Sequence, residues 1–552
     1  MAHSSIILSR NYRRLGISWL ATMAPMVNAE GSSMRFSSSS AHNHAALGVL
    51  QNLAMRLQEP ESLRAPRVSQ FSKTEGTSKI DENRRRSELA SELCASYPAL
   101  PPLKLPRSYS CERANIIFFL ASDCSPTDAD VLSAIEAFQR PSGGTHNQST
   151  RLHGTTLSSL RRASTPAFEE LLEFLLKQNT VSGMEFLNAL RTDLLQLLRW
   201  LRSTTGDDEC LSQLKALDDY LLRILSIWFS PGIIELKRIT YESTAASIIE
   251  AIAKKEAVHP MKSLDDLRSR LGAGRRVFSL FHPVLPDKPL VFVHAALLDE
   301  IPSGMSNVME APTTSTSTYL QPKVVAFYSI SNAQPGLAGV GLGEYLLKES
   351  IKRLKSEFPS LNSFVTLSPI PGFRKWLEDK IRNNQEGGHF YDGSLLSEEE
   401  MQSLERAGLI ARDDDLWNGL LSTLDALDYG EVVVEEEENA LSTQQQHQDT
   451  QTIIRPILMK LACRYLLLEK HRGRPLDAVT RFHVGNGALV HRLNFAADLT
   501  RKGLKSSYGI MVNYRYDLDQ VEEKQKLYET EYQIPWEDDM EQWIQAPHSK
   551  LQ

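Results

Sequence analysis

The sequence predicts an α+β protein: an all-helical bundle domain followed by a mixed α/β domain, behind an N-terminal arm without a core. Three observations carry this reading. From Pro166 the chain runs through successive amphipathic segments, in one of which Leu211, Leu214, Leu217, Leu221 and Leu225 recur at spacings of three and four. Segments with β texture, RRVFSLFHP, PLVFVHAALL and KVVAFYSIS, begin at Arg275. Between Val324 and Phe358 an apolar strand pattern, a glycine-rich loop and an amphipathic helix pattern then follow one another.

At 552 residues the chain exceeds what one hydrophobic core holds, about 250 to 300 residues, so two or three domains are expected. Its apolar fraction is 41% and it lacks a run of about 18 consecutive apolar residues, which argues against a membrane-spanning helix. A net charge of -7 without a basic stripe argues against nucleic acid as a partner. The five cysteines, Cys94, Cys111, Cys124, Cys210 and Cys463, form no C-x-x-C pair and have no histidine at ligand spacing. No structural metal and a reducing compartment are expected.

Residues 1–85 are rich in Ser, Arg, Gly and His and read as a presequence and flexible arm. The first 29 residues hold Arg10, Arg13 and Arg14, several serines and no acid, the composition of a transit peptide for the mitochondrial matrix. The chain ends in HSKLQ, in which the Ser-Lys-Leu of a peroxisomal address is followed by Gln552. That address is read at the chain end, so it is expected to be weak or silent here, and peroxisome and cytoplasm are the alternatives.

Residues 86–255 read as the helical domain. FEELLEFLLKQN, MEFLNALRTDLLQLLRWL and CLSQLKALDDYLLRILSIWF are joined by short connections, TVSG and STTGDD, which favour antiparallel neighbours. Their apolar stripes read first as an internal core and second as a self-association surface. Residues 256–552 read as the mixed domain. RRVFSLFHP and PLVFVHAALL, linked by VLPDKP, form a hairpin, and KVVAFYSIS supplies a third strand. The acidic, Gln-rich insert near 430–452 is expected to be a solvated loop without chemistry.

The chemistry concentrates after the third strand. In the helix EYLLKESIKRLKSEF, the residues Leu346, Leu347, Ile351, Leu354 and Phe358 make one apolar face, which puts Gly339, Gly341 and Gly343 at its N-terminus. Glycines there let unpaired backbone N–H groups approach an anion, and the helix dipole favours negative charge. The rival reading is a plain glycine-rich helix start. The spacing is not G-x-G-x-x-G, and no acid ends the next strand to hold a ribose, so a dinucleotide is disfavoured. That next strand, NSFVTLS, runs into Pro369-Ile370-Pro371-Gly372. Ser368, held before this rigid turn, is either a turn former or a hydroxyl placed for chemistry, and Thr366 on the same strand face is the rival hydroxyl.

AGVGLGEYLL, from Ala338 to Leu347, is similar to the pyrophosphate loop of the GNAT acyltransferase superfamily. Its neighbours EAVHPMKSLDDLRSRLG, FYSISNAQPGLAGVGLG, FPSLNSFVTLSPIPGFRKWL, EKHRGRPLDAVTRFHVGNGALVHRLNF and GIMVNYRY resemble the malonyl-CoA decarboxylase family, over about Thr192 to Asp517. The resemblance implies a helical domain used in oligomerisation, in a homotetramer, and a GNAT-like domain that converts malonyl-CoA to acetyl-CoA and CO2 without metal or prosthetic group. It implies Ser368 as the active-site serine, His483 as the active-site histidine, and Ala338, Gly339, Val340, Gly341, Leu342, Gly343 and Glu344 as the CoA-contacting segment. The family loop usually begins with Arg or Gln where Ala338 stands, a change that removes a side-chain contact but no backbone donor. TYESTAASI and LFHPVL lack the cysteines of family members with intersubunit disulfides.

The chemistry this implies sets requirements. Loss of CO2 leaves an enolate that needs pre-placed donors, for which backbone N–H groups between splayed strands are suited. The α-carbon then needs a proton, which a histidine titrating near neutral pH can give, and His483 is the candidate acid. Ser368 is expected to hold the leaving carboxylate or His483 itself. Thr366, Asn486 and Tyr514, with Asn513, are candidates for the pocket wall. On residue type alone His483 reads as a buried or loop histidine, with Asn486 and Gly487 forming a turn after it. His259, His294, His471 and His491 lie in packing or turn contexts. An acyl transfer from CoA to an amine is the alternative activity, although no amine groove or base is marked in the chain. A non-catalytic CoA sensor would keep the loop and lose the acid.

Overall fold

The computed structural model describes residues 88, 91–103, 112–139, 154–178, 180–204, 208–310, 321–386, 395–410 and 440–544. The residues read from sequence as transit peptide and arm, Cys111, the Ser-Lys-Leu near the end and the part of the insert before residue 440 lie outside the described residues. The chain divides into two compact units, Met1–Pro102 with Glu170–Gln178, and Leu103–Glu169 with Asn179–Gln552. In the first, Leu171, Leu172, Leu175 and Leu176 are buried at helical spacing.

The helical part of the second unit is dominated by α1, Thr180–Thr204, and α2, Asp208–Trp228, which pack on each other. Met184, Leu187, Leu190, Leu194, Leu197, Leu198 and Leu201 form the buried stripe of α1. Leu214, Leu217, Leu221 and Leu225 form that of α2, as the spacing predicts, and Leu211 is half-buried. No helix among the described residues is long and apolar enough to cross a membrane.

An eight-stranded sheet follows. Its strands are β1 (Glu235–Ile239), β2 (Arg275–Phe281), β3 (Val291–Leu298), β4 (Val324–Asn332), β5 (Ser363–Thr366), β6 (Ser368–Pro369), β9 (Leu489–Asn494) and β10 (Met511–Tyr516). A separate two-stranded ribbon holds β7, Lys470–His471, and β8, Arg474–Pro475. The sheet order is β1-β2-β3-β4-β5-β10-β6, with β9 also pairing β10, and β4 with β5 is its parallel pair. The expected hairpin is β2–β3. Residues 235–255, read from sequence as the end of the helical domain, join the sheet. Strand β1 pairs β2, and Ile249 and Ile252 of α3 (Ala246–Lys255) pack with Val277, Phe281 and Phe292.

Beyond β4 the chain enters α4, Leu342–Glu357, whose buried Leu346, Leu347, Ile351 and Leu354 match the predicted face. The insert departs from expectation. From Ala440 it is helical, part of α5, Ala440–Leu467. Gln, Ala and Leu are good helix formers, and the segment continues into a buried stripe of Ile454, Leu458, Leu461 and Ala462 that holds it.

Candidate active site

The site forms where two parallel strands part. Pairing of β4 with β5 ends at Phe327 opposite Thr366, closed by the Leu367 N–H donating to the Phe327 carbonyl at 3.0 Å. Past that point β4 stays with β3, whereas the chain from Ser368 pairs with Val512 of β10. Among the described residues the edge of β4 that faced β5 has no strand partner there, the splay expected from the chemistry of the sequence. Pro369 can follow Ser368 because it carries no N–H to place in a ladder.

Ser368, Thr366, His483, Tyr514 and Asn486 come together at this split. His483 lies in the last turn of α6, Ala478–Gly485, rather than in a loop, and Asn486 is that helix's C-cap. The helix starts on Asp477, whose carboxylate accepts from the Thr480 N–H at 2.7 Å and the Thr480 hydroxyl at 3.0 Å. Thr480 Oγ1 in turn lies 2.7 Å from the Tyr514 hydroxyl, tying α6 to β10. The imidazole stacks on the Tyr514 ring, with centroids 4.6 Å apart.

The hydrogen bonds define a line. Ser368 Oγ donates to Thr366 Oγ1 at 2.9 Å, and Thr366 Oγ1 also accepts the Tyr514 N–H at 3.2 Å. Ser368 Oγ is 3.2 Å from His483 Nε2, and His483 Nδ1 is 2.8 Å from the Tyr516 hydroxyl. Since the serine proton points to Thr366, this network assigns the imidazole proton to Nε2, donating to Ser368, and has Tyr516 donating to Nδ1. Burial pushes the His483 pKa down to about 3 and drives both tyrosine phenols well above their usual value. At neutral pH all three groups are therefore uncharged, so His483 in the ligand-free protein does not titrate near neutrality as its residue type suggests.

The glycine loop reaches the same place. Gly341, with φ of 86°, is the N-cap of α4, and Gly339 has φ of 85°. A methyl group on Gly343 would meet the Phe482 ring at 3.0 Å, so glycine lets the start of α4 come against the helix that carries His483. Ala338, Val340 and Leu342 contribute backbone to this loop. The Glu344 carboxylate is engaged by Lys348 at 2.8 Å and Gln525 at 3.3 Å, which leaves its N–H as the group available to a ligand. Asn513 stays on the frame, donating to the carbonyl oxygens of Thr366 at 2.8 Å and Pro302 at 3.2 Å.

Tyr516, Thr480 and Asp477 join the site without having been marked for it by the sequence. Tyr516 is 33 positions from His483, and only the pairing of β10 in the sheet brings it to Nδ1. Asp477 with Thr480 did carry a signal, an Asp followed by Thr at N-cap spacing. Gly487, next to the Asn486 cap, has φ of 82°, and a methyl there would lie 2.2 Å from the Val521 carbonyl oxygen. Gly487→Ala is expected to destabilise the protein by about 3 kcal/mol or more through backbone strain and overpacking, read as a lowered denaturant midpoint at unchanged slope.

The chain matches the family description "Malonyl-CoA decarboxylase C-terminal domain" over residues 232–551 and "Malonyl-CoA decarboxylase N-terminal domain" over residues 125–229. It is 37% identical over 363 residues to a mitochondrial malonyl-CoA decarboxylase of Mus musculus, covering 66% of this chain and 68% of that protein. It is 32% identical over 369 residues to the mitochondrial enzyme of Anser anser anser, covering 66% of each. A crystal structure of malonyl-CoA decarboxylase from Rhodopseudomonas palustris superposes with a TM-score of 0.64 at 30% identity, over 89% of this chain and 98% of that one. With both domain descriptions matched in order along one chain, the protein belongs to the malonyl-CoA decarboxylase family.

Proposed function

We propose that this chain decarboxylates malonyl-CoA to acetyl-CoA and CO2, with Ser368 and His483 at the reacting carbon and the loop Ala338–Glu344 on the CoA pyrophosphate. The observation that carries the reading is the Thr366–Ser368–His483–Tyr516 line at the strand split, beside a helix start rich in backbone donors. The family names of its relatives supply the substrate.

Breaking the bond between the α-carbon and the carboxylate leaves its electron pair on the α-carbon, delocalised onto the thioester oxygen. The unpaired edge of β4 beyond Phe327 offers backbone donors to that oxygen. The α-carbon then takes one proton, so each turnover consumes one. A neutral His483 cannot give that proton unaided. The substrate brings what is missing, because a carboxylate placed against a buried imidazole favours the charged form and raises the pKa from about 3. His483 takes up a proton as the malonyl group seats, and delivers it to the carbanion that replaces the carboxylate. Ser368, freed from Thr366, turns its hydroxyl to the carboxylate and holds the breaking bond in line with the carbonyl π system. Tyr516 keeps Nδ1 hydrogen-bonded and the ring oriented.

The same reading places the enzyme in mitochondria, the compartment in the names of its animal relatives. It assigns assembly into an oligomer to the helical domain, and no cofactor to the reaction. The test is incubation with malonyl-CoA alone: acetyl-CoA and CO2 in equal amounts, with one proton taken up for each CO2 before it hydrates, are expected. Turnover that depends strictly on an added amine would overturn the reading in favour of acyl transfer.

A further inference from the structure

Arg191 sits in the middle of α1 with 2% of its surface exposed. An enclosed guanidinium needs acceptors for its N–H groups, and three are in place. Its Nε donates to Asp218 Oδ1 of α2 at 2.8 Å. Its Nη1 donates to the backbone carbonyl oxygens of Gly336 at 2.6 Å and Ala338 at 2.7 Å. The helix touches the same loop again one turn earlier, where Asn188 Nδ2 donates to Gln334 Oε1 at 2.8 Å. A methyl on Gly336 would lie 2.1 Å from the Asn188 carbonyl oxygen, and one on Gly339 would meet Leu222 of α2 at 3.5 Å. The helical pair α1–α2 thus forms the bed on which the glycine loop lies.

This contact sets the direction of the loop's donors. The carbonyls of Gly336 and Ala338 are turned to Arg191, while the N–H groups of Ala338 and Val340 are used within the loop, on Pro335 and Leu337. Among the described residues no acceptor takes the N–H groups of Gly339, Gly341, Leu342, Gly343 or Glu344. Left-handed Gly339 and Gly341 gather such groups into a concavity suited to a doubly charged phosphate bridge. Within the guanidinium, Nε is engaged by Asp218 and Nη1 by the two carbonyls.

We infer that Arg191 is a positioning residue for the pyrophosphate of CoA: from the helical region it fixes the loop Gln334–Gly341 in the shape whose N–H groups receive that anion. CoA affinity is then a property of the α1–α2 pair as much as of the loop. The inference rests on the reading above in taking a CoA thioester as the ligand and the glycine loop as the seat of its pyrophosphate.

The test compares ligands with and without the pyrophosphate, malonyl-CoA against malonyl-pantetheine in turnover and CoA against pantetheine in binding. Three variants serve. Gly336→Ala lifts the loop from Asn188 without burying a charge, the double variant Arg191→Met/Asp218→Leu removes both members of the ion pair, and Asn188→Ala is the mild case. In the first two, KM for malonyl-CoA and Kd for CoA should rise about 10- to 100-fold, as expected for losing hydrogen bonds to a charged group, with kcat within about twofold of wild type. Constants for malonyl-pantetheine and pantetheine should stay at the wild-type level, and Asn188→Ala should follow the same pattern at smaller size. Equal losses on both ligand pairs, or loss on neither, would overturn the inference. A wild-type protein that turns over neither thioester yet binds CoA better than pantetheine would overturn the decarboxylase reading instead, and the binding arm would still decide the role of Arg191.

Discussion

His483→Gln is expected to lower kcat for malonyl-CoA by about 10²- to 10⁴-fold, the range for a positioned general acid, while Kd for CoA stays near wild type. Turnover falls because glutamine fills the space between Ser368 and Tyr516 and keeps hydrogen bonds, but carries no proton to the α-carbon. Binding survives because the loop donors belong to other residues. A second readout comes from stability. The folded-state pKa of His483 is depressed to about 3, so between that value and the ordinary value of 6.5 the unfolded chain binds a proton that the folded protein does not. Wild-type stability should therefore fall as pH drops through this window, by up to about 1.4 kcal/mol per pH unit from this residue, and His483→Gln should remove that part of the slope. Denaturant midpoints of both proteins at several pH values between 4 and 7 measure it. Equal slopes would show that His483 is not buried neutral, and kcat within about threefold of wild type would show that it does not supply the proton.

The features legible in the sequence are those set by neighbours in the chain. The stripes of α1, α2 and α4 follow from helical period, and Thr366 and Ser368 share a face because strands alternate. Glycines at the start of α4 marked the loop. Strand β1 escaped because ELKRI is an edge strand with three exposed residues of five, too polar to show an apolar alternation. The helix over the insert escaped because Glu- and Gln-rich composition is shared by solvated loops and solvated helices. Three further features depend on contacts across the fold. Tyr516 meets His483 only through strand pairing, Arg191 meets the loop from about 145 positions away, and the pKa of His483 is set by an enclosure that no local pattern encodes. His483 itself stood out by resemblance to a family, since a single histidine in a helix carries little signal.

Ser368→Ala is expected to lower kcat by about 10- to 10³-fold and to raise KM for malonyl-CoA more than Kd for acetyl-CoA, which lacks the carboxylate. The asymmetry follows from the assigned role. In the free protein the serine proton points to Thr366, so the bond to the substrate carboxylate forms only when malonate is present. Removing the hydroxyl also leaves His483 Nε2 without its acceptor, and among the described residues it has no other partner, which loosens the ring proposed to deliver the proton. Because both residues then act on one substrate in one step, the double variant Ser368→Ala/His483→Gln should be little slower than His483→Gln alone. Thr366→Val provides the contrast. It removes the acceptor of the Ser368 hydroxyl and of the Tyr514 N–H, so it should disturb the geometry and stability of β10 while leaving the preference for malonyl-CoA over acetyl-CoA intact. If the losses in the Ser368/His483 double variant multiply, and if Thr366→Val rather than Ser368→Ala abolishes that preference, the carboxylate is held by Thr366 and Ser368 serves only to orient the imidazole.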